Sequence, residues 1–130
     1  MAETILEAVT RYARAWAAGD LAGTVGAYSD DVVLHWGGAH ALSGTHRGKP
    51  AALAALAEFS RRTARGQPEI IDVMAGAARA VIVVRERLGP EGAPTERVLV
   101  YRVMDGLLAE CWVHDTDPDL IDRLVGQAPL

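Results

Sequence analysis

The sequence predicts an α+β fold in which helices pack on one face of an antiparallel sheet. Three observations carry this. Helical spacing of apolar residues fills the first half of the chain, and four β-branched or apolar runs of strand length fill the second. Between the last two runs stands Asp105-Gly106, a strong short hairpin signal. With 130 residues and 50% hydrophobic content, residues 1–130 suit one domain around one core of moderate size.

Taken in order, Ile5, Val9, Tyr12 and Trp16 share a helical face, while Glu3, Glu7, Arg11 and Arg14 lie on others, so the spacing predicts an amphipathic helix that stops at Gly19. Asp20 reads as the N-cap of a second, short helix, LAGTVGAY. Asp30-Asp31 and the run to Trp36 read as turn and strand, ended by Gly37-Gly38, and GAHALSGTHRG reads as a loop. Pro50 at a first-turn position opens a third helix, AALAALAEFSRRTAR, closed by Gly66. The strands EIIDVMAG, RAVIVVRERL, ERVLVYRVM and LLAECWVHD follow, with GPEGAPT as a looser hairpin. Asp117-Pro118 starts a last helical piece that runs to about Val125.

Several function classes are unexpected. Net charge is −4 with a pI near 5.5, so there is no basic footprint for nucleic acid. The positive cluster Arg61, Arg62 and Arg65 falls where a helix should end, and cations there complement the helix dipole. Cys111 is the only cysteine, which leaves no disulfide framework or four-cysteine metal site and fits a reducing cytoplasm. No apolar run approaches the roughly 18 residues of a membrane span, and the start lacks an export signal. The expectation is a cytoplasmic protein without a membrane partner. There is no GxGxxG, GxSxG or HExxH, and GTHRGK is one residue short of a phosphate loop. The spacing of His35, His40, His46 and His114 fits no metal-ligand pattern, so no metal is expected.

RYARAWAAGDLAGTVGAYSDDVVLHWGG, then SGTHRGKPAALAALAEF, then YRVMDGLLAECWVHD, together resemble the nuclear transport factor 2-like superfamily, and within it the SnoaL-like polyketide cyclase and ketosteroid isomerase group. The resemblance implies a cone: a curved antiparallel sheet wrapped around the long first helix with two further helices, open at one end onto an apolar pocket. It also implies a homodimer through the outer sheet face. Aligned with the isomerases, Tyr12 falls at their tyrosine, but Trp36 stands at the base and Leu99 at the second acid. Tryptophan cannot abstract a proton, so steroid isomerisation by that route is not expected. Aligned with limonene epoxide hydrolases, Trp112 matches, His114 replaces the acid, and Arg85 and Arg87 replace an arginine and an acid. Against the cyclases, Asp115 is the nearest candidate acid, with Asp117 behind it.

Strand alternation divides the last candidates. If Trp112 faces the pocket, His114 does too and Asp115 faces away; a slip of one residue reverses this. The expectation is a small cofactor-independent pocket enzyme acting by proton transfer on an apolar oxygenated molecule such as a polyketide or terpenoid. His114, whose imidazole gives and takes protons near neutrality, is the expected acid or base. Tyr12 is the expected donor to a substrate oxygen, with His35 or Asp115 in support. Trp16, Trp36, Leu99, Tyr101 and Trp112 are expected to shape the wall. The alternatives are a small-molecule binding protein without chemistry and a dimeric interaction module. Alternation also places Arg97, Leu99 and Tyr101 on one face and Arg102 on the other, and an inward arginine needs an acid such as Glu86 or Glu110 on its own face.

Overall fold

A computed structural model describes residues 3–129, and the first two residues and the last of the expected domain lie outside the described residues. The first helix, α1 (Ile5–Ala17), is capped by the Thr4 side chain, which accepts from the Glu7 N–H, and it buries Ala8, Val9, Tyr12 and Ala13. The short α2 (Leu21–Gly26) is capped by Asp20 as expected but buries none of its residues. Tyr28, expected in that helix, instead opens strand β1 (Tyr28–Trp36).

The stretch expected as a loop contains strand β2 (Gly44–Arg47), which folds back antiparallel on β1, pairing Trp36 with Gly44 and Val33 with Arg47. Its polar composition hid it. Helix α3 (Lys49–Thr63) starts at the expected proline but ends before Gly66, because Ala64 takes the left-handed conformation at φ 49°. Strands β3 (Glu69–Ala75), β4 (Arg79–Leu88), β5 (Ala93–Met104) and β6 (Leu107–Asp115) follow as a meander. The tight turn between the last two places Asp105 and Gly106 at φ 52° and 75°, the double positive φ that a two-residue hairpin favours. Helix α4 (Pro118–Val125) is capped by Asp117 and buries Leu120, Ile121 and Val125.

The six strands form one unclosed sheet in the order β2-β1-β6-β5-β4-β3. It is not wholly antiparallel as expected: β1 and β6 run parallel, with Leu34 opposite Cys111 and Trp36 opposite Val113. Hairpins dictate the directions of the meander, whereas β1 reaches β6 only across α3 and four strands, so no turn constrains that pair. The inner face carries Leu34, Ile82, Val84, Leu99, Tyr101, Cys111 and Val113 against Val9, Tyr12 and Ala13 of α1 and Ala55 and Phe59 of α3. The register aligns Tyr101 with Cys111, Leu99 with Val113 and Arg97 with Asp115. These pairs fix the phase of β6: Cys111 and Val113 face in, and Trp112 and His114 face out. No helix among the described residues is long and apolar enough to cross a membrane.

Candidate functional site

The helices do not fill the space they enclose against β5 and β6. A cavity of about 600 Å³ remains, within the range of small-molecule pockets. Trp16, Leu53, Leu56, Leu99 and Val113 make much of its wall apolar. Its mouth lies beside α2, where Leu21 is 75% exposed although it lines the opening.

One part of the wall is phenolic. The Tyr12 and Tyr28 hydroxyls are hydrogen-bonded at 2.6 Å in a buried setting. The Tyr12 ring also meets Tyr28 and Tyr101 edge to face, at 5.4 and 5.6 Å between centres, and stacks on Trp16 at 6.1 Å. Burial pushes the Tyr12 phenol up to about 12 against the opposing pull of its hydrogen bonds, and burial lifts Tyr28 and Tyr101 well above the ordinary phenol value. The neighbouring Cys111 thiol is likewise pushed up to about 12 by burial. All four groups therefore stay protonated at neutral pH. The thiol is not a nucleophile there, and the phenols are hydrogen-bond donors.

Another part of the wall is cationic. Arg97 is only 2% exposed; its Nε donates to Asp115 Oδ1 at 2.5 Å and its Nη1 to Glu86 Oε2 at 2.9 Å. Arg65 donates from Nη1 to the other Glu86 oxygen at 3.1 Å and from Nε to Ser60 Oγ at 2.8 Å. Burial works against the charge on Arg97, but Asp115 and Glu86 outweigh it and hold the guanidinium protonated. The guanidinium carbon of Arg97 lies 4.3 Å from the Phe59 ring centre. Arg65 and Arg97 line the cavity, whereas Glu86 and Asp115 lie behind them, outside its wall. Asp115 Oδ2 also accepts from Trp36 Nε1 at 3.3 Å.

A smaller cleft of about 210 Å³ lies near this ion pair, lined by Gly37, Gly38, His40, His114, Asp115 and Asp122 among others. His40 is buried, and its Nδ1 accepts from the Leu42 N–H at 3.1 Å, which assigns the ring proton to Nε2. That Nε2 has no partner among the described residues.

The expected residues divide accordingly. Tyr12, Trp16, Leu99 and Tyr101 line the cavity. Asp115 reaches it only through Arg97. Trp36 is a core residue packed on Phe59, with ring centres 4.9 Å apart, and is not in the cavity wall. His114 is exposed on the other side of β6, at the rim of the small cleft, so the expected catalytic histidine does not face the cavity. Trp112 and His35 are also outside: their rings stack at 5.4 Å, and His35 Nε2 pairs with Glu110 Oε2 at 2.5 Å. Expecting Trp112 and His114 to share a face was right; the face was wrong, for the reason of register given above. Arg65 also departs from expectation, since it serves the cavity wall and not the helix end. Sequence reasoning left Tyr28 and Cys111 out of the site. Glu86 carried a legible signal, standing in the inward phase of Ala80, Ile82, Val84 and Leu88.

Residues 9–111 match the family described as SnoaL-like domain. No curated protein matches the chain by sequence. Among solved structures, a protein of unknown function with a cystatin-like fold from Xanthomonas campestris is 25% identical, with a TM-score of 0.84 over 96% of this chain and 100% of that one. An NTF2-like protein of unknown function from Burkholderia pseudomallei is 22% identical, with a TM-score of 0.76 over 91% and 94%. A candidate polyketide cyclase from Sinorhizobium meliloti is 18% identical, with a TM-score of 0.67 over 82% and 93%. These likenesses establish an NTF2-like, cystatin-like fold.

Proposed function

We propose that this chain, which belongs to the SnoaL-like domain family, binds an apolar oxygenated small molecule in its main cavity and promotes a cofactor-independent proton transfer on it. The observation that carries the reading is the Tyr12–Tyr28 hydroxyl pair at 2.6 Å on an otherwise largely apolar wall. One phenol of the pair donates to the other, which frees the second O–H for a ligand oxygen. Aimed at a carbonyl, that donor stabilises the negative charge that develops on oxygen as a proton leaves the adjacent carbon. Because the phenols remain protonated at neutral pH, the pair donates without ionising. Isomerisation, aldol-type ring closure, dehydration and epoxide opening all use such a donor.

No carboxylate or imidazole lines the cavity among the described residues. In this reading the abstracted proton passes to water at the mouth or to a basic oxygen of the substrate itself. The same observation supports a second reading, a carrier or sensor that binds the molecule and leaves it unchanged. Tyr12→Phe and Tyr28→Phe, assayed on a small molecule recovered with the protein, separate the two. A loss of turnover of about 100-fold with binding largely kept supports catalysis. A ligand recovered unaltered, with no product at any enzyme concentration, supports the carrier.

The outer sheet face is the proposed place of a second copy. Val81, Val83, Val98 and Val100 are half-buried there, with Trp112 beside them and Arg79 standing 4.6 Å over its ring. Sedimentation of wild type and Trp112→Glu tests this, a dimer that becomes a monomer being the expected result.

A further inference from the structure

Among the described residues, the charged side chains in the wall of the main cavity are two arginines, Arg65 and Arg97. Their counter-acids, Glu86 and Asp115, are buried or nearly so and stand behind them, so the ion-pair network turns its positive side to the cavity. Arg65 spends Nη1 on Glu86 and Nε on Ser60 and lies over the Trp16 and Phe59 rings, and no hydrogen bond engages its Nη2 among the described residues. The remaining polar wall is rich in donors: Tyr12 and Tyr28 are held protonated, and Gln67 adds an amide at the rim. Between these polar groups lie Leu53, Leu56, Leu99 and Val113. A neutral hydrocarbon would leave the guanidinium edge of Arg65 desolvated and unanswered, whereas an anionic oxygen would meet it. A cation would be repelled.

The geometry points to a hydrophobic acid as the ligand class: an apolar, ring-sized skeleton carrying one anionic oxygen, bound with that oxygen against Arg65. Arg65 is then the residue that selects the charge state of the ligand, and the phenol pair meets a second, neutral oxygen where the molecule has one. This rests on the reading of the cavity as a small-molecule site and adds the charge of its occupant.

Two probes with one skeleton test it. 2-Naphthoate is anionic at neutral pH and 2-naphthol is neutral, and binding of each is measured by fluorescence titration. The expected result is that wild type binds the naphthoate about tenfold more tightly or better, and that Arg65→Met brings the ratio close to one while the naphthol affinity stays within about twofold. Equal affinities in wild type, or a preference that survives in a folded Arg65→Met protein, would overturn the inference and leave the small-molecule reading standing. If neither probe binds, that reading falls and this one with it. Should Arg65→Met fail to fold, wild type titrated with naphthoic acid across the acid's own ionisation decides the matter. Affinity that rises as the ligand ionises supports the assignment, and affinity that falls rejects it.

Discussion

Arg97 and Asp115 stand opposite each other on adjacent antiparallel strands and join through Nε and Oδ1 at 2.5 Å, with the Asp115 side chain 9% exposed. The pair ties the main cavity to the small cleft, because Arg97 lines the first and Asp115 the second. It also explains how a guanidinium persists in an apolar interior: two carboxylates and two aromatic rings surround it. Such a network contributes little net stability when intact and matters most when broken.

Asp115→Ala removes one of the two carboxylates from a guanidinium that cannot discharge. The expected loss is about 3 kcal/mol, the low end for breaking a buried pair, since Glu86 remains. Asp115→Asn keeps an acceptor for Nε and should lose less. Urea denaturation of the two variants gives the comparison, and an unchanged midpoint for Asp115→Ala would show that the pair is dispensable.

His114→Ala is expected to leave stability within about 0.5 kcal/mol and to leave ligand binding in the main cavity unaltered, because the side chain is exposed beyond the sheet. A tenfold fall in turnover or affinity on this change would place His114 in the functional site after all.

Much of the fold was legible because it rests on local signals. Asp20 announced its helix as a cap, Asp117-Pro118 marked the start of another, and Asp105-Gly106 announced its hairpin, each through chemistry confined to a few residues. Alternation put Arg97, Leu99 and Tyr101 on one face of their strand but left open which arginine turns inward, and in the structure it is this face that lines the cavity. The site was only half legible. Tyr12 needed only helical periodicity, but whether Cys111 or Trp112 faces inward depends on the register with β5, and the shift between Arg102 and Val103 defeats counting outward from the Asp105-Gly106 turn. Both phases of ECWVHD offer apolar residues, so burial alone could not choose. Tyr28 was hidden differently: it read as the end of the short helix after Asp20, so the strand phase it shares with Val32, Leu34 and Trp36 was not applied to it.

Gly38 adopts φ 93°, and a Cβ there would stand 2.9 Å from Asp122 Oδ1 and 3.1 Å from His40 Cδ2. That same Asp122 oxygen accepts the Ala39 N–H at 3.0 Å, so the aspartate cannot withdraw freely. Gly38→Ala is therefore expected to destabilise by about 1–3 kcal/mol through backbone strain and crowding together. Gly37, with open space where its Cβ would go, supplies the control: Gly37→Ala should change little. Equal thermal midpoints for the two variants would contradict the strained reading of Gly38.

His40 gives the fold a pH dependence whose sign follows from its surroundings. Burial lowers its pKa, and Arg97 adds to that, while Asp122 and Asp115 pull the other way without prevailing. Protonation would place a second N–H at Nδ1, where the Leu42 amide already donates. The folded state thus holds this proton less readily than the unfolded chain. As pH falls below the unfolded value of about 6.5, the unfolded state takes up the proton first, and stability drops until the lower folded value is passed. Above about pH 6.5 this contribution is fully present. Urea midpoints of wild type and His40→Gln, measured from pH 7.5 downward, should show a steeper decline for wild type below about pH 6.5. Parallel curves would mean that His40 titrates alike in both states and that its burial carries no proton linkage.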